Sequence, residues 1–379
     1  MQRRQQFVSN LVSIALIGLV VAGCETESAG SGSGGAATST AGTPTLALPI
    51  AGVWKSNFDA IETIGAGHWQ VSSSAAPTSV SAIVRYDATE RWLLTRNAAD
   101  ASYAPGAFNR IVWHDVSATE IAYCTVDFGL ASEEEAAASS KTADAADLDG
   151  KGCGGFSWTR LSRPEAVGLF ESQFGGNERL DAEKMGWANT IRWDNAKRTA
   201  VSQNAADDTF SPKTFNLVRW AKGKDGAFFY CTVDYGHATA ELAEASTKTA
   251  DDSDLEGKGC AGFAWTRLDP LPLLGVWKTN FDTTEAIDGL GWGGSRLDSF
   301  RRADRVAIVR SPQDDPYTPG QYSRIRWSEP SAAGFAYCVE AYGKATAAEA
   351  DADPATSDAT DLDGKGCGGF PWTRMSPAQ

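Results

Sequence analysis

The sequence repeats itself three times at a fixed offset of 107 residues. Trp113, for example, recurs at this offset as Trp220 and Trp327. Cysteines recur in two series: Cys124, Cys231 and Cys338, and Cys153, Cys260 and Cys367. Three copies in one register predict three tandem units of one fold.

The unit boundaries follow from a Gly-apolar-aromatic signature at Gly52, Gly168 and Gly275. The first interval is nine residues longer than the second, and the excess lies around residues 72–78, which predicts a loop insertion in the first unit. We therefore expect repeat 1 at 50–162, repeat 2 at 163–269 and repeat 3 at 270–379.

Each unit begins with segments in which aromatic and β-branched residues alternate with polar ones, as in half-buried antiparallel strands. In repeat 1 these segments are 81–86, 92–95, 109–114 and 120–126. An Ala- and Glu-rich stretch follows, and it starts with a capping residue: Ser132, Thr239 or Thr346. The predicted fold class is mainly antiparallel β, a small sandwich or barrel of five to seven strands, with one short helix per repeat.

The six repeated cysteines are predicted to form one disulfide within each unit. Six cysteines allow 15 connectivities, but the spacing of 29 residues recurs in all three units and favours the pairs Cys124–Cys153, Cys231–Cys260 and Cys338–Cys367. A zinc site is the alternative. Two cysteines per unit are too few for it, and His68, His114 and His237 share no repeat position.

Acidic residues are concentrated between the helix start and the second cysteine of each unit. Residues 132–153, 239–260 and 346–367 each contain six Asp or Glu. The favoured interpretation is a solvated acidic loop. The alternative is a Ca²⁺ site, because carboxylates alternate before a glycine, although the EF-hand pattern is incomplete. Its candidate ligands are Asp147, Asp149, Asp252, Asp254, Glu256, Asp361 and Asp363.

Thirteen tryptophans are a high number for this length. Those that fall on predicted strands are expected to build the core. Trp69, Trp187 and Trp292 lie near a turn-rich segment instead, and we predict them as ligand-facing aromatics that could stack on sugars.

The chain shows no catalytic constellation. No Gly-x-Ser-x-Gly sequence is present, and no histidine recurs at a shared position to serve as a base. We therefore predict no catalytic residue, no enzyme activity and no cofactor apart from the Ca²⁺ alternative. The formal net charge of −14 argues against nucleic acid as a partner.

The N-terminus has the order of a secretory signal: Arg3 and Arg4 precede an apolar run at 11–21 that is short for a bilayer span. The run ends in Val21-Ala22-Gly23-Cys24, which resembles the lipobox of bacterial lipoproteins. The resemblance implies a signal peptide at 1–23 and a lipidated, palmitate-bearing Cys24. Residues 24–49 are rich in Gly, Ser and Thr and predict a flexible tether.

These observations predict a lipid-anchored protein of the bacterial cell envelope, extracytoplasmic and, by the sorting rule that the resemblance implies for Glu25, in the outer membrane. The expected function is non-enzymatic binding or scaffolding by three disulfide-pinned β domains. Its expected partners are the membrane, through the N-terminal lipid, and an envelope protein or a glycan. The alternatives are a carbohydrate- or Ca²⁺-dependent adhesin-like binder and, less favoured, an extracytoplasmic hydrolase.

Overall fold

The computed structural model describes residues 48–65, 67–73, 78–223, 226–313, 315 and 317–378. These residues form three consecutive closed barrels of eight antiparallel strands. The predicted fold class is therefore confirmed, the barrel alternative is the one adopted, and each unit has more than the expected five to seven strands. Cys24 and the segments predicted as signal and tether up to residue 47 lie outside the described residues. Within the described part of the chain, no helix is long and apolar enough to cross a membrane.

The strands and helices recur in the same order in each barrel. Barrel 1 contains β1 Gly52–Ser56, β2 Ile61–Ile64, β3 His68–Ser72, β4 Ser79–Asp87, β5 Trp92–Asn97, β6 Phe108–Ser117, β7 Glu120–Leu130, α1 Glu133–Ala138 and β8 Thr159–Ser162. Barrel 2 contains β9 Gly168–Ser172, β10 Asn177–Leu180, β11 Lys184–Met185, β12 Ala188–Asp194, β13 Thr199–Gln203, β14 Phe215–Lys222, β15 Phe228–His237, α2 Ala240–Glu244 and β16 Thr266–Pro270. Barrel 3 contains β17 Gly275–Thr279, β18 Thr284–Ile287, β19 Gly291–Trp292, β20 Ser295–Arg301, β21 Val306–Arg310, β22 Tyr322–Trp327, β23 Phe335–Lys344, α3 Ala347–Asp351 and β24 Thr373–Pro377.

Neighbouring strands in the sequence are neighbours in each barrel, and the last strand closes on the first. In barrel 1, for example, Lys55 of β1 pairs with Ser162 of β8. Because consecutive strands run in opposite directions, the first, third, fifth and seventh connections of each barrel lie at one end. We call this the distal end, and the end at which the first strand begins the proximal end.

Large apolar side chains fill the barrel interiors. In barrel 1 the buried residues include Trp54, Leu93 and Trp113. The segment that precedes the first strand closes the proximal end: Ile50 is buried in this core, and its carbonyl oxygen accepts a hydrogen bond from Nε1 of Trp54 at 3.0 Å. Leu273 and Trp277 repeat this contact in barrel 3, at 2.9 Å. The proximal ends of barrels 1 and 3 are thus plugged, and their distal connections stay free of the plug.

The seventh connection is long and folds back over the outer wall of the barrel. We call it the excursion; it comprises 131–158 in barrel 1, 238–265 in barrel 2 and 345–372 in barrel 3. Each excursion begins with the predicted short helix, and Ser132, Thr239 and Thr346 are its N-caps as predicted. The three predicted disulfides are present and pin the excursions to the seventh strands.

Barrels 2 and 3 pack directly against each other. Leu169 of β9 is buried in the core cluster of barrel 3, and its backbone N–H donates to the carbonyl oxygen of Gly289 at 2.6 Å. The side-chain oxygen of Asn177 accepts a hydrogen bond from the backbone N–H of Phe300 at 2.9 Å. The proximal turn of barrel 3 therefore lies against the wall of barrel 2.

Candidate functional site

Exposed aromatic rings are confined to the distal ends of the barrels. Thirteen Phe, Tyr and Trp side chains are exposed in the described part of the chain, and all of them lie at this end. Twelve of the thirteen occupy four positions that recur in every barrel. Buried apolar residues are expected in any fold, whereas large apolar residues that recur in exposed turns need a different reason.

We name the four positions by their place in the fold. The hairpin-tip position holds Phe58, Phe174 and Phe281; the loop position holds Tyr103, Phe210 and Tyr317; the bulge position holds Phe128, Tyr235 and Tyr342; and the Cys-turn position holds Phe156, Phe263 and Phe370. We call the surface that the four positions form on a barrel its aromatic end.

The hairpin-tip phenylalanine is held by the turn that connects the first two strands. Its backbone N–H donates to the hydroxyl of the residue two positions earlier, as Phe58 does to Ser56 at 3.3 Å. The adjacent Asn57 exchanges hydrogen bonds with the backbone of Arg160 on the last strand, at 2.9 and 3.1 Å. The turn is therefore fixed to the strand that follows the Cys-turn position.

The Cys-turn phenylalanine lies on a two-residue turn closed by the disulfide cysteine. The backbones of Cys153 and Phe156 exchange two hydrogen bonds of 2.9 Å. Both residues between them have positive φ, 58° at Gly154 and 98° at Gly155, as a tight hairpin turn requires. In barrel 2, Ala261 takes the first of these places with φ 50°. The ring is thus presented by a turn with little freedom to collapse.

The bulge aromatic projects from a β-bulge near the end of the seventh strand. In barrel 1 the register moves from Phe108↔Leu130 to Arg110↔Asp127, so that two residues, 128 and 129, lie opposite one. Gly129 has a φ of 72° and completes the bulge. Bulges redirect side chains, and here the bulge turns a large ring out of the barrel wall.

A chain of amide hydrogen bonds links the loop position to the bulge position. In barrel 1, Asn97 donates to the loop carbonyl oxygen of Ala104 at 3.0 Å and accepts from the side chain of Asn109 at 2.8 Å. Asn109 in turn accepts from the backbone N–H of Gly129 at 3.2 Å. The rings of Tyr103 and Phe128 lie 6.4 Å apart between centroids.

The other barrels preserve this arrangement by the same or by different residues. Asn204 and Asn216 repeat the amide pair in barrel 2, at 2.7 Å. Barrel 3 has serines at these two places, and Asp315 holds the loop by accepting the backbone N–H of Tyr317 at 2.9 Å. These hydrogen bonds fix the backbone of the turns that carry the loop and bulge aromatics.

The acidic loops in the excursions are folded by their own carboxylates. Asp147, Asp254 and Asp361 each accept the backbone N–H of the lysine four residues later, at 2.7 to 2.8 Å. Asp149 pairs with Arg160 at 2.9 Å, and Asp363 pairs with Arg374 at 2.6 Å. The first set of bonds closes the loop on itself, and the arginine pairs join the loop to the last strand of the barrel.

No group of three or more His, Cys, Asp or Glu side chains that could hold a metal ion occurs in the described residues. The Ca²⁺ interpretation of the acidic loops is a prediction that a titration can address.

Two of the three tryptophans predicted to face a ligand are buried instead. Trp69 and Trp292 are 4% and 3% exposed, and they point into the cores of barrels 1 and 3. They occupy equivalent places on short third strands, opposite Ile64 and Ile287. The sequence prediction for these two is wrong because the segment forms strands, whose alternation turns every second side chain inward.

Trp187 is the one of the three that faces solvent. It is 80% exposed and lies in the distal turn between β11 and β12, next to Met185, which takes the inward place of the buried tryptophans. Trp187 is therefore the thirteenth exposed aromatic residue of the distal ends and has no aromatic counterpart in barrels 1 and 3.

Each barrel also directs one glutamate toward its core: Glu62 and Glu178 are buried, and Glu285 is half-buried. Glu62 accepts hydrogen bonds from Nε1 of Trp69 at 2.8 Å and from the hydroxyl of Tyr123 at 3.3 Å. Burial raises the pKa of Glu62 and of Glu285, against the lowering effect of these ring donors. These carboxylates face the barrel cores and do not form part of the aromatic end.

A second buried acid anchors the excursion. The Lys248 ammonium, at 2.6 Å, and the Ser246 hydroxyl hold the pKa of Asp234 far below its usual range. Asp127 has the same role in barrel 1 through Lys141 and Ser139, and its pKa is also lowered. Ion pairing and hydrogen bonds to the charged form produce these shifts. The excursions of barrels 1 and 2 are thereby attached both covalently and electrostatically.

The sequence did not lead us to predict the four recurring aromatic positions, because the predicted ligand-facing residues were tryptophans and these positions hold Phe and Tyr. The signal was present: Tyr103, Phe210 and Tyr317 are spaced by 107 residues within turn-forming sequence. Comparison with models of known families, with curated proteins and with solved structures gave no match.

Proposed function

We propose that this chain is a lipid-anchored protein of the bacterial cell envelope that binds a partner through the aromatic ends of its three barrels. The observation that carries the binding proposal is the recurrence of twelve exposed aromatic residues at four positions. Solvent-exposed rings of this size cost solubility, and interfaces are enriched in Phe, Tyr and Trp. Three copies on one chain would raise the avidity of binding to a repetitive or clustered partner.

The anchoring proposal rests on Val21-Ala22-Gly23-Cys24 and on the Gly- and Ser-rich segment after it. Expression of the full chain in a double-membraned bacterium tests it. We expect the wild type in the membrane fraction, and we expect Cys24→Ser to move to the soluble extracytoplasmic fraction with all three disulfides formed. A Cys24→Ser protein that stays with the membrane would contradict lipid anchoring.

Binding is tested with the full chain in mild detergent against three envelope preparations: isolated peptidoglycan, outer-membrane vesicles and the soluble envelope protein fraction. The key variant replaces the Cys-turn residues, as Phe156→Ser, Phe263→Ser and Phe370→Ser. These side chains are exposed, so the fold and the net charge should be unchanged. We expect at least tenfold weaker retention, since each lost aromatic anchor weakens every barrel's contact.

A matched control removes three exposed apolar residues that lie outside the aromatic end: Val84→Ser, Val116→Ser and Leu274→Ser. We expect the control to bind like the wild type. Equal retention of the wild type and the Cys-turn variant by every preparation would refute the binding proposal.

A further inference from the structure

The connections at the distal end, together with the excursions that fold back over the barrel walls, are strongly acidic. The distal connections and excursions contain 25 Asp and Glu against six Lys, a net charge of −19, whereas the whole chain carries −14. The remainder of the chain is therefore net positive. The segments counted are 57–60, 73–78, 98–107, 131–158, 173–176, 186–187, 204–214, 238–265, 280–283, 293–294, 311–321 and 345–372.

Several of these carboxylates are both exposed and adjacent to the rings. Asp59 and Asp282 directly follow the hairpin-tip phenylalanines of barrels 1 and 3. Their side chains are 89% and 88% exposed, although they pair with Lys55 at 3.3 Å and Lys278 at 3.0 Å. Asp149 and Asp363 remain about as exposed although they pair with arginines on the last strand. A partner at the distal end would thus meet rings and negative charge together.

The types of exposed ring further limit the chemistry that a partner of this surface can have. Eight of the thirteen exposed aromatics are Phe, which has no polar group to offer to a sugar hydroxyl. Ring faces attract cations, and carboxylates pair with arginine in a bidentate manner. Acidic loops repel anionic lipids, nucleic acids and anionic glycans. Exposed rings with carboxylates beside them complement a partner that carries guanidinium or ammonium groups among apolar side chains.

We infer that the aromatic end of each barrel binds a basic polypeptide segment in which arginine or lysine alternates with apolar residues. The inference rests on the proposed function, because it names the partner of the same surface. Cationic side chains would lie over the rings and pair with the exposed carboxylates, while apolar side chains cover the phenylalanines. Three barrels would hold three such segments, either of one long partner or of several copies.

The test measures binding of labelled peptides by the full chain in mild detergent. The probes are a twelve-residue Arg-Leu alternating peptide, a Glu-Leu peptide of the same length and a tetramer of N-acetylglucosamine. We expect the Arg-Leu peptide to bind and the other two to be rejected. Raising NaCl from about 50 to about 500 mM should weaken binding strongly, because exposed charges are then screened.

The decisive comparison keeps the net charge constant. We expect the variant with Phe156→Ser, Phe263→Ser and Phe370→Ser to bind the Arg-Leu peptide about three- to tenfold more weakly, as expected for the loss of one cation–ring contact per segment. The variant with Val84→Ser, Val116→Ser and Leu274→Ser should match the wild type. Circular dichroism of both variants verifies that the barrels are intact.

Two results would overturn the inference. Arg-Leu binding that is equal in the wild type and the Cys-turn variant would mean attraction by net charge alone. Binding of the neutral sugar tetramer instead, with the same dependence on phenylalanine, would leave the proposed function standing and identify a glycan as its partner. If the Cys-turn substitutions change neither the retention by any envelope preparation nor the binding of any of the three probes, the proposed function fails as well.

Discussion

At the scale of single residues, Glu62 and Glu285 contribute to the pH dependence of barrel stability. Burial is the largest influence on the pKa of Glu62, and it raises that pKa above the usual value of 4.5. Between the usual pKa of the unfolded chain and the raised pKa of the folded state, the native state therefore binds more protons than the unfolded chain. Stability falls as the pH rises through this window, and the loss is complete above the folded-state pKa.

Glu62→Gln tests this reasoning. The amide oxygen can still accept the hydrogen bond from Trp69, and the amide carries no charge to desolvate. We expect the melting temperature of the variant to exceed that of the wild type by a few degrees at pH 8, roughly what 1 kcal/mol produces in a small domain. Thermal unfolding between pH 4 and 8 measures it, and a difference that does not grow with pH would speak against an enclosed titrating carboxylate.

Gly150 and Gly154, on either side of Cys153, differ in the space that is available for a larger side chain. A Cβ on Gly150 would lie 2.2 Å from Oδ1 of Asp147, which is fixed by its bond to Lys151. A Cβ on Gly154 meets nothing within 4 Å, and barrel 2 has alanine at that place. Gly150 is required because a side chain would not fit there. Gly154 only makes the positive φ of the turn less costly.

We therefore expect Gly150→Ala to destabilise barrel 1 by about 2–3 kcal/mol, in the upper range for overpacking. Gly154→Ala is the matched variant and should cost about 1 kcal/mol, as a single left-handed alanine does. Urea unfolding of both proteins gives the comparison. Equal losses would show that the Asp147 carboxylate moves away without cost.

At the scale of elements, the excursion is an appendage that needs attachment. Trp158 of the excursion packs against Ala122 and Cys124 of β7, and the three form a small outer core separate from the barrel interior. The Nε1 of Trp158 donates to the carbonyl oxygen of Asp144 at 3.1 Å and so joins the acidic loop to this core. So few buried groups stabilise the excursion only modestly without its disulfide.

Replacing Cys124 and Cys153 together by alanine should cost barrel 1 about 3–4 kcal/mol, the chain-entropy effect for a loop of this length. The loss should be local, because barrels 2 and 3 keep their own bonds. Hydrogen exchange measured by mass spectrometry should show faster exchange in 131–158 and unchanged exchange in 238–265. Faster exchange in both excursions would mean that the disulfides stabilise the molecule as a whole.

The sequence predicts those elements whose signals are local. Capping residues such as Ser132, cysteine spacing and strand alternation after residue 80 all lead to the observed structure. The second and third strands of each unit carry weak signals because they have only two to five residues. Their absence from the prediction lowered the strand count and placed Trp69 and Trp292 at the surface.

The aromatic end itself depends on the closure of the barrel. Phe58, Tyr103 and Phe156 lie in the first, fifth and seventh connections, and Phe128 lies near the end of β7. These residues are up to 98 positions apart in sequence. Only the alternation of eight strands brings these connections to one end. Their recurrence could be noticed in the sequence, but their common location could not be derived without the number of strands.

At the scale of the whole molecule, barrels 2 and 3 share a junction that a glycine makes possible. A Cβ on Gly289 would lie 2.8 Å from Cα of Gly168 and 3.2 Å from the carbonyl oxygen of Val167. These are backbone atoms and cannot move aside as a flexible side chain would. The close approach allows Leu169 to enter the core cluster of barrel 3 and should couple the unfolding of the two barrels.

Gly289→Ala should separate the barrels while leaving each of them folded. We expect wild-type calorimetry to show barrels 2 and 3 melting in one cooperative transition, and we expect the variant to show two, with the lower one shifted down by several degrees. A cost of about 1–3 kcal/mol for a forced contact is enough for such a shift. Hydrogen exchange should locate the change at the amide of Leu169, whose bond to Gly289 is lost.

The matched control is Gly67→Ala in the corresponding proximal turn of barrel 1, where a Cβ meets nothing within 4 Å. It should leave the calorimetric profile unchanged. A variant in which Gly289→Ala behaves like this control would mean that the junction contributes nothing to cooperativity and that the barrels melt as independent units. Coupling instead would hold the aromatic ends of barrels 2 and 3 at a fixed separation, which favours simultaneous binding of one partner by both.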